Sequence, residues 1–406
     1  MKSSSLSRRR FLLASSAMTV SAAGTARAPK AVSAQTESAT KYLILACDGG
    51  GIRGLVTSLL LRQLDTDHPG FRQQAYLTAG TSTGGIISLG LACGVSPGTL
   101  VNLYQTDGAK IFTESACRAG GEFRVPNNPS RALKGTLGET WWQFILDHLN
   151  DLVCPWYDNA PLRSLLETIL DAMASATLDS LVNPARPRYV LVNTLQLCSP
   201  ANVWTPLQLT NLPNLQGNAS GGTRVIDAAL STGAAPVYFP PYDHPTYGFC
   251  ADGGLFANNP GAAAVTTLLE SGIPLDSIWM LSLSTGNTQN CYPASLINAA
   301  GASSFGSIYW MWPEPQPLTP VTGQPYTPSF PLMEAVFDAT AQMDAYYCSR
   351  LLPGRYQRAN VPLTQPVPLD DFSATAIETM LSSTKDYIQQ SPEWAAIRTW
   401  IGANFG

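Results

Sequence analysis

The chain has 406 residues, 45% of them hydrophobic and 13% charged, with 33 glycines and 31 prolines, so it reads as a compact, turn-rich body with a sizeable core and not as a disordered segment. Its formal net charge is −4, but residues 1–34 hold six basic residues and no acid, which leaves 18 basic and 28 acidic residues, a net charge of −10, on the remainder. An acidic body of this kind argues against nucleic-acid binding and against electrostatic docking on anionic membranes.

In chain order, the first feature is an export signal over residues 1–34. Arg8-Arg9-Arg10 precede an uncharged stretch at 11–24, and small residues follow with two cleavage options, Ala26-Arg27-Ala28 and Val32-Ser33-Ala34. Ser7-Arg8-Arg9-Arg10-Phe11-Leu12 resembles the twin-arginine signal of bacteria. The stretch is too short to span a bilayer, and no other segment reads as a membrane span. The expectation is an exported protein, periplasmic or extracellular, with no transmembrane span after cleavage.

A linker at 35–41 leads into an apolar run, Tyr42-Leu43-Ile44-Leu45-Ala46-Cys47, expected to be a buried strand. The loop Asp48-Gly49-Gly50-Gly51-Ile52-Arg53-Gly54 follows, and Leu55, Leu59, Leu60 and Leu64 then recur at helical spacing. Residues 75–79 read as a second strand that turns sharply through Gly80-Thr81-Ser82-Thr83-Gly84 into an apolar helix at 86–93. Further strands are expected at 189–195, 247–251 and 278–284, and helices at 162–173, 226–231, 262–269 and 333–347. Strands alternating with helices imply an α/β fold with a mainly parallel sheet covered on both faces. One catalytic domain is expected over 42–370, with a helical tail at 371–406 packed on the same body. Stretches 115–137 and 310–331 read as insertions.

The eight cysteines are scattered without a C-x-x-C pair, so no zinc site is indicated. Cys47, Cys93, Cys198 and Cys250 lie in apolar runs and are expected to be buried free thiols. Export permits disulfides, but spacing alone assigns none. With no H-E-x-x-H and no calcium-loop pattern, no metal or cofactor is expected.

Chemistry concentrates in three places. Ser82 lies in G-x-S-x-G between a strand and a helix, where a nucleophile is exposed on a tight turn and the helix N-terminus favours developing negative charge. The bland alternative is a small-residue helix start. Gly49, Gly51 and Gly54 formally fit G-x-G-x-x-G, the mark of a dinucleotide site. That reading needs an acid about 20 residues on, where Arg72, Gln73 and Gln74 stand instead. The same loop suits an oxyanion hole built from backbone amides. The three histidines are His68, His148 and His244, none after Asp252, so a triad in the order serine, acid, histidine is not expected. His68 and His148 read as surface residues and His244 as part of a turn. Asp252, in Phe249-Cys250-Ala251-Asp252-Gly253-Gly254, is the candidate base, placed at the carboxyl end of a strand. Its alternative is an aspartate that caps the following turn.

Together, Asp48-Gly49-Gly50-Gly51-Ile52-Arg53-Gly54, Gly80-Thr81-Ser82-Thr83-Gly84 and Asp252-Gly253-Gly254 resemble, in order and spacing, the three blocks of patatin-like phospholipases. Residues 231–240, Asn258-Asn259-Pro260 and Leu283-Ser284-Thr285-Gly286 also look like that family, and the resemblance runs from about 40 to 370. It implies a three-layer α/β fold and calcium-independent acyl hydrolysis of phospholipids or galactolipids by a Ser82–Asp252 dyad through an acyl-enzyme. It also implies an oxyanion hole from the Gly49, Gly50 and Gly51 amides, with Arg53 supporting the loop. The partner is then a lipid or ester substrate at a membrane or micelle surface. Trp141, Trp142, Trp310 and Trp312 are candidates for seating the protein in headgroups, against a plainer role in packing. A general carboxylesterase or neutral-lipid lipase on the same dyad, and a lipid-binding or toxin-like module activated by a partner, are the competing functions.

Overall fold

A computed structural model describes residues 40–120, 154–182, 189–213, 220–287, 310–311 and 330–406. The expected export signal at 1–34 and most of both expected insertions lie outside them, as do Trp141, Trp142, Trp312, His148 and Cys291.

Eight strands form one sheet: β1 (Tyr42–Cys47), β2 (Ala75–Thr81), β3 (Tyr189–Gln196), β4 (Thr205–Thr210), β5 (Tyr242–His244), β6 (Gly248–Asp252), β7 (Ile278–Leu283) and β8 (Tyr356–Ala359). Their order is β5-β6-β3-β2-β1-β7-β8, with β4 also on β3. The pairs β1–β2, β1–β7, β2–β3 and β7–β8 are parallel. The pairs β3–β4, β3–β6 and β5–β6 are antiparallel.

Alternation along β1 divides the core in two. Leu43, Leu45 and Cys47 face one apolar cluster, and Ile44 and Ala46 face the other. The first cluster takes in α1 (Gly54–Asp67), α2 (Thr83–Ala92), α3 (Pro97–Gln105), α4 (Asn159–Leu170) and α5 (Val225–Thr232). The second holds α6 (Gly261–Glu270) and the C-terminal part of α7 (Pro331–Leu351). Helices thus cover both faces of a mostly parallel sheet, the α/β arrangement expected from the alternation of elements. Two last helices, α8 (Ala374–Gln390) and α9 (Pro392–Phe405), pack on the first cluster, where Trp394, Ile397 and Ile401 are fully buried.

The expected strands and helices all form, with ends shifted by a few residues. Strands β4, β5 and β8 and helix α3 were not anticipated. His244 lies in β5 and is buried, where a turn was expected. Of the four cysteines expected to be buried, Cys47 and Cys250 are, Cys93 is half-buried and Cys198 is exposed. Cys198 stands just past the end of β3, where the apolar run leaves the sheet. Cys117 and Cys154 form a disulfide.

Candidate active site

Strand β3 acts as the ruler that brings Ser82 and Asp252 together. Along one edge it pairs with β4 from Leu191 to Gln196. Its other edge is shared. β2 occupies it up to Thr81↔Asn193, and β6 takes over at Thr194↔Asp252. β2 and β6 therefore run toward each other along β3 and stop at neighbouring rungs. Ser82 follows one stop and Asp252 is the other. Asp252 is the last residue of β6, the carboxyl end of a strand as expected, and because β6 is antiparallel to β3 that end meets the end of β2 head-on.

At the end of β2 the chain leaves the sheet through Ser82, whose φ of 55° and ψ of −127° are unusual for a residue with a side chain. Such a conformation costs about 1–3 kcal/mol and persists only when its surroundings hold it. The Ser82 N–H donates to Thr232 Oγ1 at 2.8 Å, and Thr232 Oγ1 donates to the Asn193 carbonyl at 2.6 Å. The flanking glycines answer to close packing. A Cβ on Gly80 would lie 2.0 Å from the Gly84 carbonyl oxygen, and one on Gly84 would lie 2.0 Å from that of Cys47. Helix α2 starts immediately after Ser82 and is buried along nearly its whole length.

Asp252 is fully buried. Its Oδ1 accepts the Gly254 N–H at 2.7 Å, so it does cap the turn. Its Oδ2 is buried without a hydrogen-bond partner. Burial raises its pKa to about 7, opposed by the nearby Ser82 hydroxyl and the Gly254 amide, both of which favour the charged form. The hydroxyl is thus near enough to act on the carboxylate without closing a hydrogen bond onto Oδ2. Catalytic hydrogen bonds are often long before substrate binds.

The glycine loop crosses above the elbow. A Cβ on Gly49 would stand 3.1 Å from Ser82 Cβ and 2.1 Å from Asn258 Oδ1, so a side chain here would have to displace Asn258. The Gly49 N–H donates to the Asn258 carbonyl at 2.9 Å. Its carbonyl accepts from Thr285 Oγ1 at 2.8 Å and Asn258 Nδ2 at 3.4 Å. The Gly49 amide is therefore committed within the protein. Among the described residues, the N–H groups of Gly50 and Gly51 donate to no protein acceptor. Gly51 has a φ of +57°, and a Cβ there would strike the Leu369 carbonyl. Arg53 is buried, and its Nε reaches the Gly50 carbonyl at 3.4 Å.

Several contributors were not singled out from sequence. Thr232, Asn258 and Thr285 lie in blocks noted only for resemblance, and they are the clamps just described. Arg358 on β8 pairs with buried Asp48 through Nη1–Oδ1 at 3.2 Å and Nη2–Oδ2 at 2.5 Å, and also donates to Ser282 Oγ. Burial pushes the Asp48 pKa up, and Arg358 opposes it. An arginine in a short, mixed strand near the C-terminus carries no local signal of this role.

Ser82 and Gly51 open onto a pocket walled by apolar side chains including Leu103, Phe112, Leu166, Tyr238 and Phe337. His244 Nδ1 accepts the Thr246 and Tyr247 amides, and burial lowers its pKa. His68 caps α1 and is half-buried rather than a surface residue. Neither hydrogen-bonds to Ser82 or Asp252. Among the described residues, no helix is long and apolar enough to cross a membrane.

The sequence profile described as Patatin-like phospholipase matches residues 45–265, which hold the glycine loop, the elbow and Asp252. A cGAMP-activated phospholipase of Vibrio cholerae is 30% identical over 284 residues, 66% of this chain and 70% of that protein. A cGAMP-activated phospholipase of Escherichia coli is 30% identical over 226 residues, 53% of each chain. The chain thus spans from about half to 70% of the length of these relatives. Among solved structures, VipD from Legionella pneumophila is similar over 90% of this chain and 67% of its own, at 14% identity and a TM-score of 0.43. The profile covers more than half of the chain, and the chain belongs to the patatin-like phospholipase family.

Proposed function

We propose that the protein is a lipid acyl hydrolase of the phospholipase A type, cleaving fatty-acyl esters of phospholipids or galactolipids through Ser82 and Asp252. The observation that carries this reading is the junction on β3, which sets a strained serine and a buried, unpartnered carboxylate oxygen beside two free backbone amides at an apolar cavity.

Asp252 accepts the Ser82 proton as Oγ attacks the ester carbonyl. The Gly50 and Gly51 amides hold the oxyanion, a task for which each donor is worth ~10²–10³ in rate. Gly49 shapes the loop by its missing side chain, and Arg53 holds the Gly50 peptide. The acyl chain lies among the apolar walls of the cavity. The alcohol or lysolipid leaves with a proton returned from Asp252, and water activated by the same carboxylate frees the fatty acid. A carboxylate with a pKa near 7 is a far better base than one in water.

The test is hydrolysis of phosphatidylcholine and of a short p-nitrophenyl ester by wild type and Ser82→Ala. Fatty-acid release from the phospholipid, absent in Ser82→Ala, supports the reading. Turnover of the short ester alone points to a general esterase, and full activity in Ser82→Ala removes the nucleophile assignment.

We also propose that the chain is exported with loss of residues 1–34. The Cys117–Cys154 disulfide supports an oxidising compartment. N-terminal sequencing of the protein from periplasm and medium tests this, and a cytoplasmic protein that retains its first residues contradicts it.

A further inference from the structure

Strands β4, β3, β6 and β5 form an antiparallel extension that rises past the sheet edge where Ser82 leaves β2. Gln196 is in register with both Thr205 and Cys250. The next row therefore runs Trp204, Leu197, Phe249, Asp243 across the four strands, on one face. The Leu197 N–H donates to the Phe249 carbonyl at 2.9 Å, which carries the pairing into this row. One residue back along the strands, Cys250 and Tyr242 point to the other face and are buried.

Leu197 in this row is half-buried, and its three partners are exposed. Trp204 is 77% exposed, Phe249 58% and Val203, beside Trp204 at the hairpin tip, 55%. The tip is pinned by Ser199 N–H to the Val203 carbonyl at 3.0 Å and Asn202 N–H to the Ser199 carbonyl at 2.8 Å. A large indole and a valine are thus held out on a fixed turn, the most exposed large apolar side chains of the described residues together with Phe249.

Charge identifies the occupant. No residue from 189 to 223 is charged. The adjoining charge on this face is the exposed carboxylate of Asp243, directly opposite Phe249. Among the described residues the row carries no cation and has an acidic rim, which repels anionic headgroups, whereas Trp with neighbouring apolar side chains settles at a headgroup–acyl boundary. We infer that the 197–204 hairpin and Phe249 seat the protein on a zwitterionic lipid surface, with the Ser82 edge of the sheet carried along. This rests on the lipid-hydrolase reading, and it adds Trp204 to the tryptophans considered from sequence.

The test compares the full mature chain with its Val203→Ser/Trp204→Ser variant on phosphatidylcholine vesicles. Wild type should co-sediment to the same extent at low and high salt. The variant should bind about tenfold or more weakly. Its turnover of vesicle phosphatidylcholine should fall in step, while turnover of a water-soluble short-chain ester stays at the wild-type level. As a readout independent of activity, bromine-labelled phosphatidylcholine should quench a tryptophan signal in wild type that is missing in Trp204→Phe. Ester turnover absent from both proteins, with vesicle binding still lost in the variant, would sink the hydrolase reading and leave the docking surface standing. Equal vesicle binding by wild type and variant overturns the inference. So does a wild-type dimer that the variant splits without any change in vesicle binding, which would give the patch to a second copy.

Discussion

Asp252 holds a turn in the fold and, in the proposed mechanism, also carries the chemistry. Its Oδ1 holds the turn at Gly254, and its Oδ2 is left without a partner next to Ser82. The raised pKa, about 7, fixes the sign of two pH effects. As a base Asp252 works only when charged, so kcat/KM should rise tenfold per pH unit up to about 7 and level off above. Stability should move the other way. A carboxyl whose pKa is higher folded than unfolded stabilises the fold below about 4, and loses that contribution as pH climbs toward 7. Asp252→Asn should therefore match wild type in stability at pH 4 and exceed it at pH 8 by about 4 kcal/mol, read by denaturant midpoints, while nearly all turnover is lost. A variant less stable than wild type at pH 8 would mean that the Oδ1 cap outweighs the cost of the buried charge.

At the scale of elements, the site depends on a close backbone approach and a buried ion pair. The Gly80–Gly84 turn packs its backbone against β1 so tightly that a methyl group at Gly84 meets the Cys47 carbonyl. Gly84→Ala should cost about 3 kcal/mol or more by overpacking, seen in thermal denaturation, and full stability would show that the elbow has room to move. The Asp48–Arg358 pair ties β8 to the first residue of the glycine loop. Arg358→Met leaves Asp48 charged and alone in the core, with an expected loss of about 3–5 kcal/mol. Adding Asp48→Asn should recover part of that loss in a double-mutant cycle.

These elements also show which parts of the site could be read in advance. The glycine loop, elbow and Asp252 turn were legible because each is a local pattern: an apolar strand, then small residues where backbones nearly touch. The β3 ruler was not. That Asp252 stands one rung beyond Thr81 depends on which strand fills the second half of an edge, and strand pairing across more than a hundred residues leaves no trace in local spacing. Arg358 was missed for the same reason. The Gly49 amide shows the limit of motif reasoning. Three consecutive glycines look equivalent in sequence, yet the Asn258 carbonyl takes the first amide and leaves two.

At the largest scale, the described residues form a parallel sheet between helices with an antiparallel extension along one side. The parallel part was legible, because strands buried on both faces read as unbroken apolar runs such as Tyr42–Cys47. Of the extension, β3 and β6 were legible as strands and β4 and β5 were not, because β4 and β5 mix polar, proline and aromatic residues and are half open to solvent. The Cys117–Cys154 bridge closes a separation of 37 residues. Removing it by Cys117→Ser/Cys154→Ser should cost about 3 kcal/mol, measured by denaturant unfolding with and without reductant. An unchanged midpoint would show that the bridge adds nothing to the fold.

The central claim is that Ser82 is a nucleophile activated by Asp252, and the most direct measurement is the site and rate of covalent labelling by a fluorophosphonate. Peptide mass mapping should find one adduct, on Ser82, in wild type. In Asp252→Asn the labelling rate should fall by about 10³-fold. An adduct on another residue, or undiminished labelling of Ser82 without the carboxylate, would contradict the dyad.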